Sequence, residues 1–410
     1  MFFPKCFSKV NVPIWFYLCL FSMTSFFDYQ GIELKFVQYV HLVFICFFIY
    51  DSFLKHREKV FDKSFYRLII LMAFLPLLSV IPAYLLHGQA VTDTLVVHRM
   101  HLGWLIFFVL NNRSFSEKQI FKGMFMIGMV STFIFLAEQI TYPYTPFGLR
   151  GAMAQDVIDS GRGVERRFGF YRLFVSGSEF LAPLFFLSIA NVIKVKKWVL
   201  VMMVVAFLGT GTRTILASMA VSFSYLLLSD RNIKHRNLLI TLSLFVGAIV
   251  YLNFNGIFGR LANVSDAYEY GREHSYIYYF AEYIRNPLSI LLGNGLPRGD
   301  SFETVYINYK PVVITDIGIV ANLYLWGLIY VATMFGFIIY FLFSPRLDKP
   351  YKAYLIMKIC EAPVLLPVWE IASTTLWGIF FYLCYLNIQS KHKYSTNMLA
   401  TNKYQYGNNK

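Results

Sequence analysis

The residues of this chain best suited to chemistry are arginines. Arg213 ends the stretch Leu208-Gly209-Thr210-Gly211-Thr212, where small residues let the backbone turn sharply and expose its amides. A helix that starts there adds an N-terminus, which favours anions. Arg172 stands just before another apolar run, and Arg272 sits among Tyr268, Tyr270, Tyr276, Tyr278, Tyr279, Phe280 and Tyr283, with His274 two positions on. A guanidinium grips phosphate or carboxylate through two parallel hydrogen bonds and stays charged at any relevant pH. Tyrosine faces stack on the apolar faces of sugar rings. Pyrophosphate or an acidic sugar fits this set. Helical spacing puts Arg272 on one face with Tyr268, Tyr276 and Tyr279, and turns His274 about 200° away toward Tyr270 and Tyr278.

Plainer roles compete for the same residues. Arg213 can snorkel to a membrane interface beside a tight turn, and tyrosines populate any interfacial aromatic belt. Asp316 can cap the helix after it, and Glu179 can pair with Arg172. If a hydroxyl must lose its proton, the candidate bases are His274, Glu179, Glu273, Asp300 and Asp316. No zinc-like or calcium-like ligand spacing occurs, so no metal and no cofactor is expected. Lys358 and Glu361, three apart in an apolar run, read as an intramembrane ion pair. Arg99, near His98 and His101, belongs to a buried network or marks a misplaced span boundary.

The elements that must position these groups are membrane spans. The 410 residues are 57% hydrophobic and only 15% charged, against roughly 25% charge in soluble domains. Apolar runs long enough for a bilayer recur at 12–27, 36–54, 65–86, 94–111, 120–140, 175–193, 198–210, 214–229, 238–254, 321–343, 353–368 and 369–389. The expected fold is therefore all-α and polytopic, with about twelve transmembrane helices in a single domain over 1–390. Lys5 and Lys9 before the first run resemble a signal-peptide flank, but the run reads as the first span. Cys6, Cys19, Cys46, Cys360 and Cys384 lie in the N-terminus or in apolar runs, which excludes a disulfide framework.

With the N-terminus inside, every cytoplasmic connection is basic: Lys55 to Lys63, Arg113 and Lys118, Lys194 to Lys197, Arg231 to Arg236, then Arg346 and Lys349. The polar segment 391–410 reads as a disordered cytoplasmic tail. Two outer loops are long, 141–174 and 255–320, and function is expected there. In the second, a surface helix runs from Asp266 to Ile284 and stops at Asn286-Pro287; a Gly-rich turn over 292–300 and a strand-prone return through 306–315 follow. Outside, the cations are Arg150, Arg162, Arg166, Arg167, Arg172, Arg213, Arg260, Arg272, Arg285 and Arg298, against Lys35 and Lys310 alone. The inner side is mostly lysine. Orientation signals do not require that change of type, whereas guanidinium recognition of an anion does.

Three passages resemble the O-antigen polymerase (Wzy) family of the O-antigen ligase and polymerase superfamily. They are Arg172 to Pro183 entering span six, the turn Gly209 to Thr214, and the late outer loop with Arg272, then 287–295, Asp316 to Gly318 and Leu325-Trp326-Gly327. Together they cover roughly residues 165 to 330. The resemblance implies a fold similar to the GT-C glycosyltransferases in the bacterial inner membrane, with a periplasmic site. It further implies metal-independent inverting transfer between undecaprenyl-diphosphate-linked oligosaccharides. Arg213 and Arg272 would stabilise the departing diphosphate, with His274 or Asp316 as catalytic partners. Arg172, Glu179, Arg166, Arg167, Arg260, Arg285, Arg298, Tyr276 and Tyr279 would bind substrate. The lipid bilayer and a chain-length regulator protein are the other implied partners, and no nucleic acid is expected. A ligase transferring glycan to lipid A core is the sibling activity, but Asp316 to Gly318 lacks the histidine expected of it. A lipid-linked oligosaccharide flippase is the alternative of another class; it would place ionisable groups near the midplane and show repeated halves.

Overall fold

The computed structural model describes residues 12–23, 34–54, 63–142, 166–167, 170–171, 177–209, 213–229, 240, 267–296, 306–307, 310–311, 314, 317–363 and 371–407. Nearly all of them are helical, because a chain deprived of water closes its backbone hydrogen bonds within each segment. The first two runs form α1 (Val12–Met23) and α2 (Leu34–Ile49), the latter ending in a π turn, Tyr50–Leu54. The third holds α3 (Lys63–Phe74), a 3-10 turn Leu75–Ser79 and α4 (Val80–His87). Pro76 opens that turn, having no N–H to continue the α-helical ladder. The fourth is α5 (Val91–His98), a 3-10 helix Arg99–Leu105 and α6 (Ile106–Asn112). Next comes α7 (Glu117–Thr141), started by a capping box in which Ser116 and Gln119 bond each other's backbone N–H.

A two-residue ladder pairs β1 (Arg166–Arg167) with β2 (Phe170–Tyr171). After a 3-10 turn, Ser178–Phe180, follow α8 (Leu181–Ile189), α9 (Lys197–Gly209) and α10 (Arg213–Ser229). The segment expected as the late outer loop contains α11 (Ala267–Ile284), α12 (Pro287–Leu292), and β3 (Tyr306–Ile307) paired with β4 (Lys310–Pro311). The chain closes with α13 (Gly318–Phe343), α14 (Lys349–Glu361) and α15 (Ile371–Gly407).

Four stretches are long and apolar enough to cross a membrane: Lys63–His87, Val91–Asn112, Glu117–Thr141 and Gly318–Phe343. Shorter apolar helices cover Tyr39–Phe53, Ser178–Ile189, Lys197–Phe207 and Thr214–Ser229. The chain is a helical, membrane-embedded protein. Its lipid-side character shows in α13, which exposes Ile329, Ile339, Tyr340 and Phe343 while burying Leu325, Tyr330, Met334, Ile338 and Phe341. The core is aromatic; Phe65 packs on Phe107, Phe341 and Tyr385, and Trp377 on Trp104 and Phe381. The expected span 238–254 lies, apart from Ile240, outside the described residues.

The last helix does not give way to a disordered tail at 391 but continues to Gly407. No glycine or proline interrupts 389–406, and Lys391 is held by the Arg346 carbonyl and the Asp348 carboxylate.

The ends expected to be cytoplasmic meet at one end of the bundle. Arg113 reaches Asp51 at 3.4 Å, the Tyr382 hydroxyl donates to the Phe115 carbonyl, and Tyr351 donates to Glu117 at 2.8 Å. Asp348 accepts from Asn387, and Lys349 from α14 reaches the Ser229 carbonyl that ends α10.

Candidate functional site

The opposite end is built by the helices that start or stop there. α10 and α14 pack along their length as an antiparallel pair, tied at one end by Lys349 and Ser229. The first residue of α10, Arg213, therefore stands at the end of α14 that carries Lys358, Glu361 and Pro363. The 3-10 turn Ser178–Phe180 packs against α7, and α8 beyond it packs against α14. Its Glu179 carboxylate accepts the Gly177 N–H at 2.8 Å and lies close enough to Lys358 to act on its charge. Glu138 is buried in the last turns of α7, the helix under that turn.

Lys358 and Glu361 form the expected ion pair, 2.7 Å between Nζ and Oε2, with side-chain exposures of 17% and 3%. Lys358 also lies 5.6 Å from the Tyr354 ring centre. The second carboxylate oxygen, Oε1 of Glu361, is buried without a hydrogen-bond partner among the described residues. A buried anion normally uses all its lone pairs, so an unused one is a place where a donor from outside the pair fits.

The helix expected over Asp266 to Ile284 is present as α11, Ala267–Ile284. α11 turns Tyr276, Tyr279 and Tyr283 inward: the Tyr276 hydroxyl donates to the Pro363 carbonyl at 2.6 Å, Tyr279 meets the Tyr324 ring edge-on at 4.9 Å, and Tyr283 donates to the Ile290 carbonyl at 3.0 Å. Burial, with Tyr278 beside it, pushes the Tyr279 phenol up to about 12, so it stays neutral. Ile277, Phe280 and Ile284 face outward on the other side. Such two-faced exposure fits the expectation of a helix lying in a membrane interface. Position 272 precedes Tyr276 by one turn on the inward stripe; position 274 is on a different face.

A second construction holds this helix in place. Asn286 caps α12 by accepting the Leu288 N–H, with Pro287 at the first helical position. After α12, the backbone N–H groups of Asn294 and Gly295 donate to the carbonyls of Tyr324 and Leu325 at 2.7 and 2.9 Å. Those carbonyls are freed because α13 breaks at Gly327, with φ 77° and ψ 170°. Gly327 and Gly293 face each other so closely that a Cβ on either would collide with the other segment's backbone. The Asn294 side chain accepts from Ser289 and pairs with His87, joining the end of α4 to the crossing.

The candidate residues divide accordingly. Glu179, Tyr276 and Tyr279 are placed with their side chains, and the two tyrosines expected to stack on sugar make contacts that dock the helix. Arg213 and Arg272 are placed by backbone at this end, and His274 by backbone off the inward stripe. Arg166 and Arg167 lie in the β1–β2 ladder. The side chains of these five, and residues Arg172, Arg260, Arg298 and Asp316 altogether, lie outside the described residues. Ile317 is the N-cap residue of α13, with no side-chain cap among the described residues. Arg285 is not gathered in: it is solvent-exposed and pairs with Glu282 at 3.3 Å. Lys358 and Glu361 belong to the site's surroundings although the sequence offers for them only a structural ion pair; their depth in an apolar run was the available signal. Among the described residues, no three of His, Cys, Asp and Glu come together as metal ligands. No family model, curated protein or solved structure matches this chain.

Proposed function

We propose that the protein is a surface-polysaccharide polymerase of the O-antigen type, joining undecaprenyl-diphosphate-linked oligosaccharide repeat units at the periplasmic face of the bacterial inner membrane. A fold of about twelve spans like that of the GT-C enzymes, with cytoplasmic N-terminus, is part of this proposal. What supports it is the convergence at one end of the bundle of the α10 start at Arg213, the α11 stripe that includes position 272, and the cluster of buried Glu361 with part-buried Lys358 and Glu179. In the reaction, an acceptor hydroxyl oxygen bonds to the donor's anomeric carbon as the bond from that carbon to the diphosphate breaks. The lipid diphosphate leaves with the electron pair, and the hydroxyl proton passes to a carboxylate or imidazole. Charge grows on the leaving diphosphate in the transition state, so guanidinium groups aimed there lower the barrier more than they tighten ground-state binding. Glu361 joins His274, Glu179, Glu273, Asp300 and Asp316 as a candidate proton acceptor.

A strain lacking the gene should put single repeat units on lipid A core, and stably inserted Arg213→Ala or Arg272→Ala variants should fail to restore long chains. Bare core with intact lipid-linked polymer would instead assign a ligase. Units retained on the cytoplasmic face would assign a flippase, and full-length polysaccharide from both arginine variants would overturn the catalytic role.

A further inference from the structure

The middle of the Val91–Asn112 stretch is a 3-10 helix, Arg99–Leu105. With three residues per turn, side chains three apart eclipse one another and form a line. The line on the buried edge is His98, His101 and Trp104. The two imidazoles stack at 5.7 Å, and from α13 Trp326 and Tyr330 meet His101 edge-on at 4.4 and 5.6 Å. All five side chains are buried, His101 and Tyr330 almost completely.

Seven polar atoms of this group have no hydrogen-bond partner among the described residues: both nitrogens of His98, both of His101, the indole nitrogens of Trp104 and Trp326, and the Tyr330 hydroxyl. Two near approaches, His98 to the Ala73 backbone and Tyr330 to the Trp104 indole, lack hydrogen-bond geometry. Crediting both still leaves the His101 ring and the Trp326 N–H unanswered. An unanswered buried polar group costs about 1–3 kcal/mol, and apolar side chains of similar size would carry no such cost. The group therefore has something to bind.

Its chemistry selects the ligand. With neutral imidazoles, each residue of the five supplies one N–H or O–H donor, whereas the acceptors are one nitrogen on each histidine and the tyrosine oxygen. Donors exceed acceptors, so the ligand must bring lone pairs. An anion would be buried with no cation among these five side chains, at a prohibitive cost. Water, with two lone pairs and two protons, satisfies both kinds of group and is the usual occupant of buried polar sites. We propose that His98, His101, Trp104, Trp326 and Tyr330 form an internal water-binding site inside the membrane bundle, next to the break in α13 at Gly327. This site is separate from the charged cluster and does not depend on the polymerase reading.

Radiolytic hydroxyl labelling tests it, because radicals generated from bound water mark the side chains that hold it. In the full chain reconstituted in nanodiscs, Trp104, Trp326 and Tyr330 should be oxidised severalfold faster than equally buried controls, Tyr382 with its hydroxyl on the Phe115 carbonyl and Phe185 in an apolar cluster. That excess should fall to the control level in His101→Phe. Labelling of the three at the control rate in the unmodified chain would overturn the proposal. Thermal unfolding gives a second readout: His101→Phe should lower Tm by stranding the remaining donors, whereas a dry cluster would be relieved by the same change and Tm would rise.

Discussion

The two ends of the bundle treat charge differently. At the end expected to face the cytoplasm, Asp348 is shared by Asn387 and Lys391, Glu117 takes the Tyr351 hydroxyl, and Lys349 caps the end of α10. These contacts tie helix ends together, and the Lys391–Asp348 pair is about 40% exposed on both sides. At the other end, Glu361 is buried and Lys358 mostly so, Glu179 adds a second carboxylate, and one oxygen of Glu361 is uncommitted. The first pattern is what fastening requires. The second costs desolvation without closing its hydrogen bonds, which makes sense where a substrate completes it.

Changes that unbalance the charged outer end should have the largest effect. Lys358→Met leaves Glu361 buried without its cation and should cost about 3–5 kcal/mol in unfolding experiments, while Lys358→Met combined with Glu361→Leu should recover most of that. If the double variant also restores long-chain glycan, the outer pair is mere fastening and the contrast fails. Next comes the crossing that holds the outer loop. Gly327→Ala forces a side chain into a conformation that costs roughly 1–3 kcal/mol before any collision. Amide exchange should then quicken in α11 and α12, with the Asp348–Asn387 end unchanged. A smaller loss, about 0.5–1.5 kcal/mol, is expected for Tyr276→Phe, which removes the bond to Pro363; melting curves should resolve it. Lys391→Ala should be the mildest, about 0–1 kcal/mol with product length unaffected. A loss of product from Lys391→Ala would mean that the inner end does more than fasten.

How much of this is visible in the residues themselves varies by kind. Helices were legible wherever an apolar run is long, and the 116–119 capping box and the Asn286-Pro287 stop mark their boundaries in plain sequence. The inward stripe of α11 follows from its spacing, but its docking contacts do not, because aromatic spacing does not say which surface the helix lies on. The break at Gly327 was hidden, since a glycine in an apolar run looks like any membrane glycine until Gly293, 34 positions earlier in sequence, is packed against it. The 3-10 geometry that lines up His98, His101 and Trp104 was hidden for the same reason. The helix through 391–407 has a polar composition but no breaker before Gly407.

The most direct test of the central claim, that the charged outer end acts on lipid-linked glycan, uses purified protein in nanodiscs supplied with undecaprenyl-diphosphate-linked repeat units, with product length read on a gel. The native chain should build a ladder of longer products and release lipid diphosphate, and the folded Lys358→Met/Glu361→Leu double variant should leave single units. Equal ladders from both proteins, or none from the native chain, would contradict the account.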